Sequence, residues 1–294
     1  VRFAVLAALE SWYLRDLARA AGGQHEIVQV PFGEMVGRIS NPLRTAIAAG
    51  QDLCEFDAVL VRTMPPGSLE QVVFRMDCLG RYEAAGGVVI NPARAVEAAV
   101  DKFLTSAKLA EAGLLTPRTI CCQTADDAMA AFAELGGDVV LKPLFGSEGR
   151  GITRLNDEAL ALRAFKMLAQ LGAVLYLQEF IEHEGADLRL LVIGERILGM
   201  RRRNPLDWRT NVSRGAKAEA FTPTDELVVM ARSAAAAVSA PLAGVDILPG
   251  RDGRLYTIEV NAVPGWQGLS RATGIDVAAL VLEFVEGEVR SRRR

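Results

Sequence analysis

The sequence predicts a chain of mixed α/β and α+β class, with a small parallel sheet first and two further units behind it. Three observations carry this. Strands alternate with helices up to Ile90, a glycine-rich segment follows a short strand at Val139–Lys142, and two late strands place acidic residues inside apolar runs.

The elements follow in order. Phe3 to Ala7 is a short apolar run, and Trp12 to Ala21 reads as a helix. Ile27 to Val30 and Ala58 to Val61 read as strands. Ser68 to Ala85 carries Leu69, Val72, Val73, Met76 and Leu79 at helical spacing, and Val88 to Ile90 is the next strand. Such alternation implies a parallel sheet covered on both faces. Asn91-Pro92 breaks the pattern and marks the first boundary. Ala93 to Ala112 is helical with an interruption near Asp101-Lys102, Arg118 to Cys121 a strand, and Thr124 to Leu135 a helix. Then come the strand Val139 to Lys142, the segment Gly146 to Gly151, the strand Ile152 to Leu155 and a helix from Asp157 to Gln170. This α+β unit is expected to end near Gly172. Val174 to Phe180, Leu188 to Ile193 and Ile197 to Arg203 are strands, and Asp225 to Ser239 is a helix. Val245 to Leu248 and Leu255 to Val260 are strands, and Asp276 to Val285 is a closing helix. The expected units are therefore 1–92, 93–173 and 174–294.

Composition excludes several classes. Of 294 residues, 50% are hydrophobic and 23% charged, the balance of a soluble globular chain, and a net charge of −3 argues against a general nucleic-acid binder. No run reaches the ~18 apolar residues of a membrane span. Val1 to Leu9 meets Glu10 at once and lacks a small-residue cleavage site, so a signal peptide is not expected. Cys54, Cys78, Cys121 and Cys122 show no CxxC spacing and suit reduced thiols in a cytoplasm. His25 and His183 are the only histidines, which leaves little for a zinc enzyme or a His-based triad. No Walker A, GxGxxG or GxSxG pattern occurs.

The strongest chemical signal lies in the two late strands. Asp246 sits in Gly244-Val245-Asp246-Ile247-Leu248, and Glu259 and Asn261 sit in Thr257-Ile258-Glu259-Val260-Asn261. Pro249 to Arg254, with Asp252-Gly253, is a turn, so the strands form an antiparallel hairpin. Residues i and i+2 share a face, which joins Glu259 to Asn261 and brings Asp246 opposite them. Carboxylates together in apolar surroundings need a cation, and oxygen-only ligands suit Mg²⁺. The alternative is ordinary alternation on a solvated face. Lys142 and the glycines Gly146, Gly149 and Gly151 make a second feature, a positive strand end whose backbone N–H groups approach an anion, against the plainer reading of a hairpin turn. A third is the basic set Arg189, Arg201, Arg202, Arg203, Arg209, Arg214 and Lys217. Arg201 and Arg203 share a face while Arg202 points away; Arg203 is read as functional and Arg202 as a solvated charge on an edge strand.

In one order the chain carries Lys142-Pro143 with Gly146-Ser147-Glu148-Gly149-Arg150-Gly151, then Gln178-Glu179-Phe180-Ile181, then Asp187-Leu188-Arg189. Trp208-Arg209-Thr210-Asn211 with Arg214-Gly215, Gly244-Val245-Asp246, and Glu259-Val260-Asn261 with Pro264-Gly265 follow. This series resembles an ATP-grasp ligase of the RimK type, the α-L-glutamate ligases and their LysX-like relatives, from about Pro92 to about Phe284. The resemblance implies an ATP-grasp fold preceded by a Rossmann-like N-terminal domain. It further implies that Lys102 and Lys142 hold the α- and β-phosphates of ATP. The loop with Gly146, Ser147, Gly149, Arg150 and Gly151 folds over the triphosphate. Gln178, Glu179, Phe180 and Ile181 meet adenine, with Glu179 accepting from the exocyclic amine, and Asp187 contacts the ribose. Asp246, Glu259 and Asn261 bind two Mg²⁺ ions, with Mn²⁺ as an alternative, and Arg203, Asn211 and Arg214 face the γ-phosphate and an acyl phosphate. Arg150 departs from the lysine common at that position of the loop.

The implied reaction joins L-glutamate to a carboxylate through an acyl phosphate, with no side-chain nucleophile. The acceptor is a small-molecule cofactor of tetrahydromethanopterin type or a protein C-terminus. The competing readings are a LysX-like ligase acting on an amino-acid carrier protein and a catalytically silent ATP-binding scaffold. Arg62, at a strand end where open α/β sheets place ligand loops, either meets an acidic acceptor or caps a turn. No nucleic acid or membrane partner is expected; a homo-oligomer is the family's expectation.

Overall fold

A computed structural model describes residues 1–39, 47–48, 50–146, 150–210 and 215–293, without the side chains of 47–48. The first unit opens with β1 (Arg2–Leu6), α1 (Trp12–Ala21) and β2 (Glu26–Val30), followed by the short strands β3 (Met35–Val36), β4 (Ile47–Ala48) and β5 (Gln51–Asp52). Then come β6 (Ala58–Val61), α2 (Leu69–Ala84) and β7 (Val88–Ile90). The main sheet is parallel with order β2-β1-β6-β7, and Phe3 to Leu6 are buried on both faces, as a central parallel strand requires. The side chain of Ser11 caps α1, and Ser68 with Gln71 forms a reciprocal capping box on α2. The antiparallel β3-β4-β5 ladder was not foreseen, because strands of two residues carry no periodicity.

The second unit begins with α3 (Ala93–Val100) and α4 (Lys102–Glu111). The break foreseen between them falls at Asp101, whose carboxylate accepts from Leu104 N at 3.0 Å and so sets Lys102 at the first position of α4. Then follow β8 (Thr119–Cys122), α5 (Ala125–Glu134), β9 (Val139–Lys142), β10 (Thr153–Leu155), α6 (Glu158–Gln170) and β11 (Leu175–Glu179). The sheet order is β10-β9-β11-β8. β11 therefore lies past the boundary drawn near residue 173 yet completes the small sheet, pairing antiparallel with both β8 and β9. Its apolar run resembles the strands that follow it, and only the pairing assigns it.

The third unit holds β12 (Ala186–Ile193), β13 (Arg196–Arg203), β14 (Lys217–Phe221), α7 (Asp225–Ala237), β15 (Leu242–Pro249), β16 (Leu255–Asn261), α8 (Gln267–Thr273) and α9 (Val277–Arg292). Its sheet is antiparallel with order β14-β13-β12-β15-β16. The pairing of β15 with β16 is the hairpin read from the turn at Pro249–Arg254. No helix of the described residues is long and apolar enough to cross a membrane.

Packing groups these units unevenly. One core joins Leu6, Val59 and Leu79 of the first unit to Leu190, Val245 and Ala231 of the third. A second, on the other face, joins Phe3, Val5 and Leu17 to Leu191, Trp266 and Val281. The small sheet has a separate core of Phe132, Leu141, Phe165 and Leu177 under α5 and α6. Asn91, read as a boundary residue, is fully buried and pins the first unit to the third. Its Nδ2 donates to Leu242 O (2.6 Å) and Ala262 O (2.5 Å), and its Oδ1 accepts from Leu242 N (3.0 Å). Asn91→Ala leaves three buried backbone groups unpaired, and should lower stability by about 3 kcal/mol in urea unfolding.

Candidate active site

The site grows from the β15–β16 hairpin. Asp252 fixes its turn by accepting from Arg254 N (3.1 Å) and Tyr256 Oη (2.7 Å). Asp246 stands opposite Glu259 and Gly244 opposite Asn261, while the register shifts by one between Asp246 and Ile247. That bulge sets the parity of Glu259 and Asn261 independently of the strand's other half. Cross-strand partners share a face, and Asp246 also faces Arg189 of β12, while Asp187 faces Arg202 of β13. One face of the large sheet thus presents Asp187, Arg202, Arg189, Asp246, Glu259 and Asn261.

Four of these groups, Asp187, Arg202, Arg189 and Asp246, form a chain of ion pairs. Arg189 grips Asp246 with Nε to Oδ1 at 2.6 Å and Nη2 to Oδ2 at 2.7 Å. Arg202 Nη2 reaches Asp246 Oδ2 at 2.9 Å and also donates to Asp187 Oδ2, while Arg202 Nε donates to Asp187 Oδ1 at 2.7 Å; Asp187 Oδ2 further accepts from Thr210 Oγ1 at 2.6 Å. Burial alone would raise the Asp246 pKa, but Arg189 and Arg202 outweigh it and hold the carboxyl down at about 2. Asp246 Oδ1 accepts from Arg189 alone, and Glu259 makes no ion pair or hydrogen bond among the described residues.

The opposing wall comes from the small sheet. Lys142 ends β9, and its Nζ donates to Gln178 Oε1 at 2.5 Å. Gln178 is itself buried and donates to Thr119 Oγ1 and Tyr176 Oη. Lys102 Nζ donates to Gly146 O at 2.8 Å. Burial, reinforced by Lys102, pulls Lys142 down to about 8, while Glu259 and Asp246 pull it back up; Lys102 is lowered by burial against Glu259. Two lysines from the small unit and two carboxylates from the large sheet therefore share one field.

The remaining residues of the sequence reading fall as follows. Gly146, Arg150 and Gly151 (φ +73°) are described; Ser147, Gly149, Asn211 and Arg214 lie outside the described residues. The Glu179 carboxylate is taken by Arg118, through Nε at 2.7 Å and backbone N at 2.8 Å, so the strand offers a ligand its main chain there. Phe180 stacks under Arg154 and meets Trp208 edge-on, and Ile181 lies beside the hairpin turn at Gly250. Both oxygens of Asp187 are engaged as described. Asn261 Oδ1 accepts from Val263 N at 2.8 Å.

The reading of Arg202 is corrected. Arg202, expected as a solvated edge charge, is 3% exposed and faces Asp246; Arg203 is exposed on the opposite face and lines cavities of about 520 and 550 Å³ with Glu184 and Arg251. β13 is not an edge strand, because β14 pairs along its outer side. The signal was present in the sequence. Gly194-Glu195 is a two-residue turn, and counting back from it sets Asp187 opposite Arg202. Arg202→Met leaves two buried carboxylates under-compensated and should cost about 3–5 kcal/mol in chemical unfolding. Arg203→Met should stay within about 0.5 kcal/mol of the parent.

Known proteins resemble this chain in sequence and in fold. Residues 99–285 match the family model of the RimK-like ATP-grasp domain. A tetrahydromethanopterin:alpha-L-glutamate ligase of Methanosarcina acetivorans is 32% identical, over 94% of this chain and 96% of its own length. A probable alpha-L-glutamate ligase of Legionella pneumophila is 30% identical, over 99% and 97%. The fold is that of the ATP-grasp ligase PsnB, solved with a minimal precursor, Mg and ADP, at a TM-score of 0.75, 21% identity and 98% coverage of both chains. The chain belongs to the RimK-like ATP-grasp family, whose members are ligases forming C–N bonds.

Proposed function

We propose that this ligase uses ATP to join L-glutamate to the carboxylate of a small-molecule cofactor of tetrahydromethanopterin type. One observation carries the reading: Lys102 at the start of α4 and Lys142 at the end of β9 both lie in the field of Glu259, and Lys142 also in that of Asp246. The relative of that activity aligns over nearly the whole chain, and this favours a small acceptor over a protein C-terminus.

The donor set fits a hard cation. Among the described residues no three His, Cys, Asp or Glu side chains lie together. Two carboxylates and an amide oxygen suit Mg²⁺, which keeps waters and takes phosphate oxygens as further ligands. Asp246, through its less engaged Oδ1, with Glu259 and Asn261, would hold two Mg²⁺, or Mn²⁺ in their place; bound there, the metal supplies positive charge against the phosphate oxygens.

Lys142 and Lys102 bind the α- and β-phosphates and spread their charge, with Gly146 to Gly151 closing over them. The main chain of Glu179 to Ile181 orients adenine. Arg202, on the face of Asp246, is the guanidinium placed to meet charge developing on the transferred phosphoryl group. In the first step an acceptor carboxylate oxygen attacks the γ-phosphorus, and the bond to ADP breaks with its electron pair leaving on ADP. The amine nitrogen of glutamate then attacks the acyl carbon, and inorganic phosphate departs from the tetrahedral centre with the C–O electron pair and takes the proton that the nitrogen sheds. Water excluded by the glycine loop would otherwise hydrolyse the acyl phosphate. The reading carries a cytoplasmic location, supported by four free cysteines.

Adding the enzyme with ATP and L-glutamate to extract of its own cells, then searching small molecules and proteins by mass spectrometry for a glutamyl gain, tests the reaction. A modified pterin is expected; nucleotide binding with no product in any fraction would leave only a scaffold. Glu259→Ala should lower ATP turnover by at least about 10²-fold with the thermal midpoint unchanged. Lys142, titrating near 8, is charged below that pH and loses its charge above it. ATP affinity should therefore fall as pH rises through about 8, and Lys142→Arg should remove that step. The same shift means the unfolded chain holds the proton more tightly, so the unliganded fold gains stability from pH 8 toward the usual lysine range.

A further inference from the structure

The connection leaving β1 runs to β2 on one side, and that leaving β6 runs to β7 on the other, so the carboxyl ends of β1 and β6 form the switch point of the parallel sheet. Open α/β sheets bind ligands in that crevice. Arg62 directly follows β6, and its N–H donates to Leu6 O, the end of β1, at 2.9 Å.

Arg62 is only 5% exposed. Its Nη2 donates to Pro264 O at 2.6 Å, and its guanidinium lies 4.3 Å from the Trp266 ring centroid and 4.9 Å from that of Tyr13. Nε and Nη1 are buried and find no hydrogen-bond partner among the described residues. Of the other two buried arginines, Arg202 pairs with two carboxylates and Arg75 donates to Pro65 O; among the described residues Arg62 has no carboxylate. Burial accordingly lowers the Arg62 pKa to about 10, with Tyr13 opposing. A buried cation with orphaned donors is costly unless an anion completes it. The crevice also adjoins the reaction centre, since Pro264 lies three residues beyond Asn261. Gly265 lets Tyr13 close over it: a Cβ there would come within 2.4 Å of the Tyr13 hydroxyl.

The acceptor carboxylate becomes an uncharged acyl group on reaction and gives a fixed cation nothing durable to hold. L-glutamate brings two carboxylates that do not react. We propose that the crevice beneath Tyr13 is the site of the incoming amino acid, with Arg62 holding one of its carboxylates through the orphaned N–H groups. Tyr13, half-buried in the first turn of α1, is the cover that the ligand displaces. This assignment rests on the glutamate-ligase reading.

The test is calorimetric titration of L-glutamate into the full-length protein saturated with Mg²⁺ and AMPPNP. Arg62→Gln should weaken glutamate binding by at least about tenfold, the loss of charged hydrogen bonds, while AMPPNP affinity stays within about twofold. Its thermal midpoint should not fall, because the variant removes an uncompensated buried charge. Arg62→Lys should recover part of the affinity, and L-glutamate dimethyl ester should bind neither parent nor variant. Unchanged glutamate affinity in Arg62→Gln overturns the proposal. So does joint loss of glutamate, AMPPNP and thermal stability, which would make Arg62 a structural clamp. A parent that binds AMPPNP but not glutamate overturns this site alone; one that binds no AMPPNP takes the ligase reading down with it.

Discussion

The large sheet depends on one constraint: a carboxylate buried on its face must be held by charge. Asp246 meets it with Arg189 on its own level and Arg202 one strand further out, and Asp187 balances Arg202. The four side chains come from three strands, so the pairing also ties β13, β12 and β15 together in one register. A slip of one residue in any of them would turn a charge into the apolar core beneath α7. The same pairing that costs desolvation therefore specifies the arrangement, and leaves Glu259 as the carboxylate with free acceptor capacity.

Packing places the carboxylates and Lys142 on separately packed bodies. The carboxylates stand on a sheet whose two faces are fused with the N-terminal unit through shared cores, and Asn91 locks that junction. Lys142 stands on a small sheet with a core of its own, whereas Lys102 begins α4, whose Leu109 joins the core of the fused units. Lys142 is braced by Gln178, and Lys102 by the cap at Asp101 and the carbonyl of Gly146. Positive and negative side chains are thus each held by partners of their own, the preorganisation that the proposed phosphoryl transfer would exploit. Arg62 belongs to the fused body, and its crevice opens beside the loop that continues from Asn261.

The elements with strong local patterns were legible residue by residue. α1 is delimited by the Ser11 cap and Gly22, β9 matches its reading at both ends, and the split between α3 and α4 follows from Asp101. The late hairpin was legible because turn chemistry and two-residue alternation agree there. β14 was not, since Lys217-Ala218-Glu219-Ala220 carries residues that strands disfavour and is a strand only because β13 offers it an open edge. Missing β14 is what misplaced Arg202, whose burial follows from that cover.

What the sequence determined by itself is the inventory and its local geometry: the family's motifs in order, the hairpin that joins Asp246 to Glu259 and Asn261, and lysines set at a strand end and a helix start. Those rest on interactions within a few residues or across one tight turn. Only the tertiary structure decided which arginine faces the carboxylates, which sheet owns β11, that Glu179 spends its carboxylate on Arg118, and that Arg62 is buried with Nε and Nη1 unpaired among the described residues. Each of these turns on partners brought together from distant parts of the chain, where burial and pairing, rather than local preference, set the free energy.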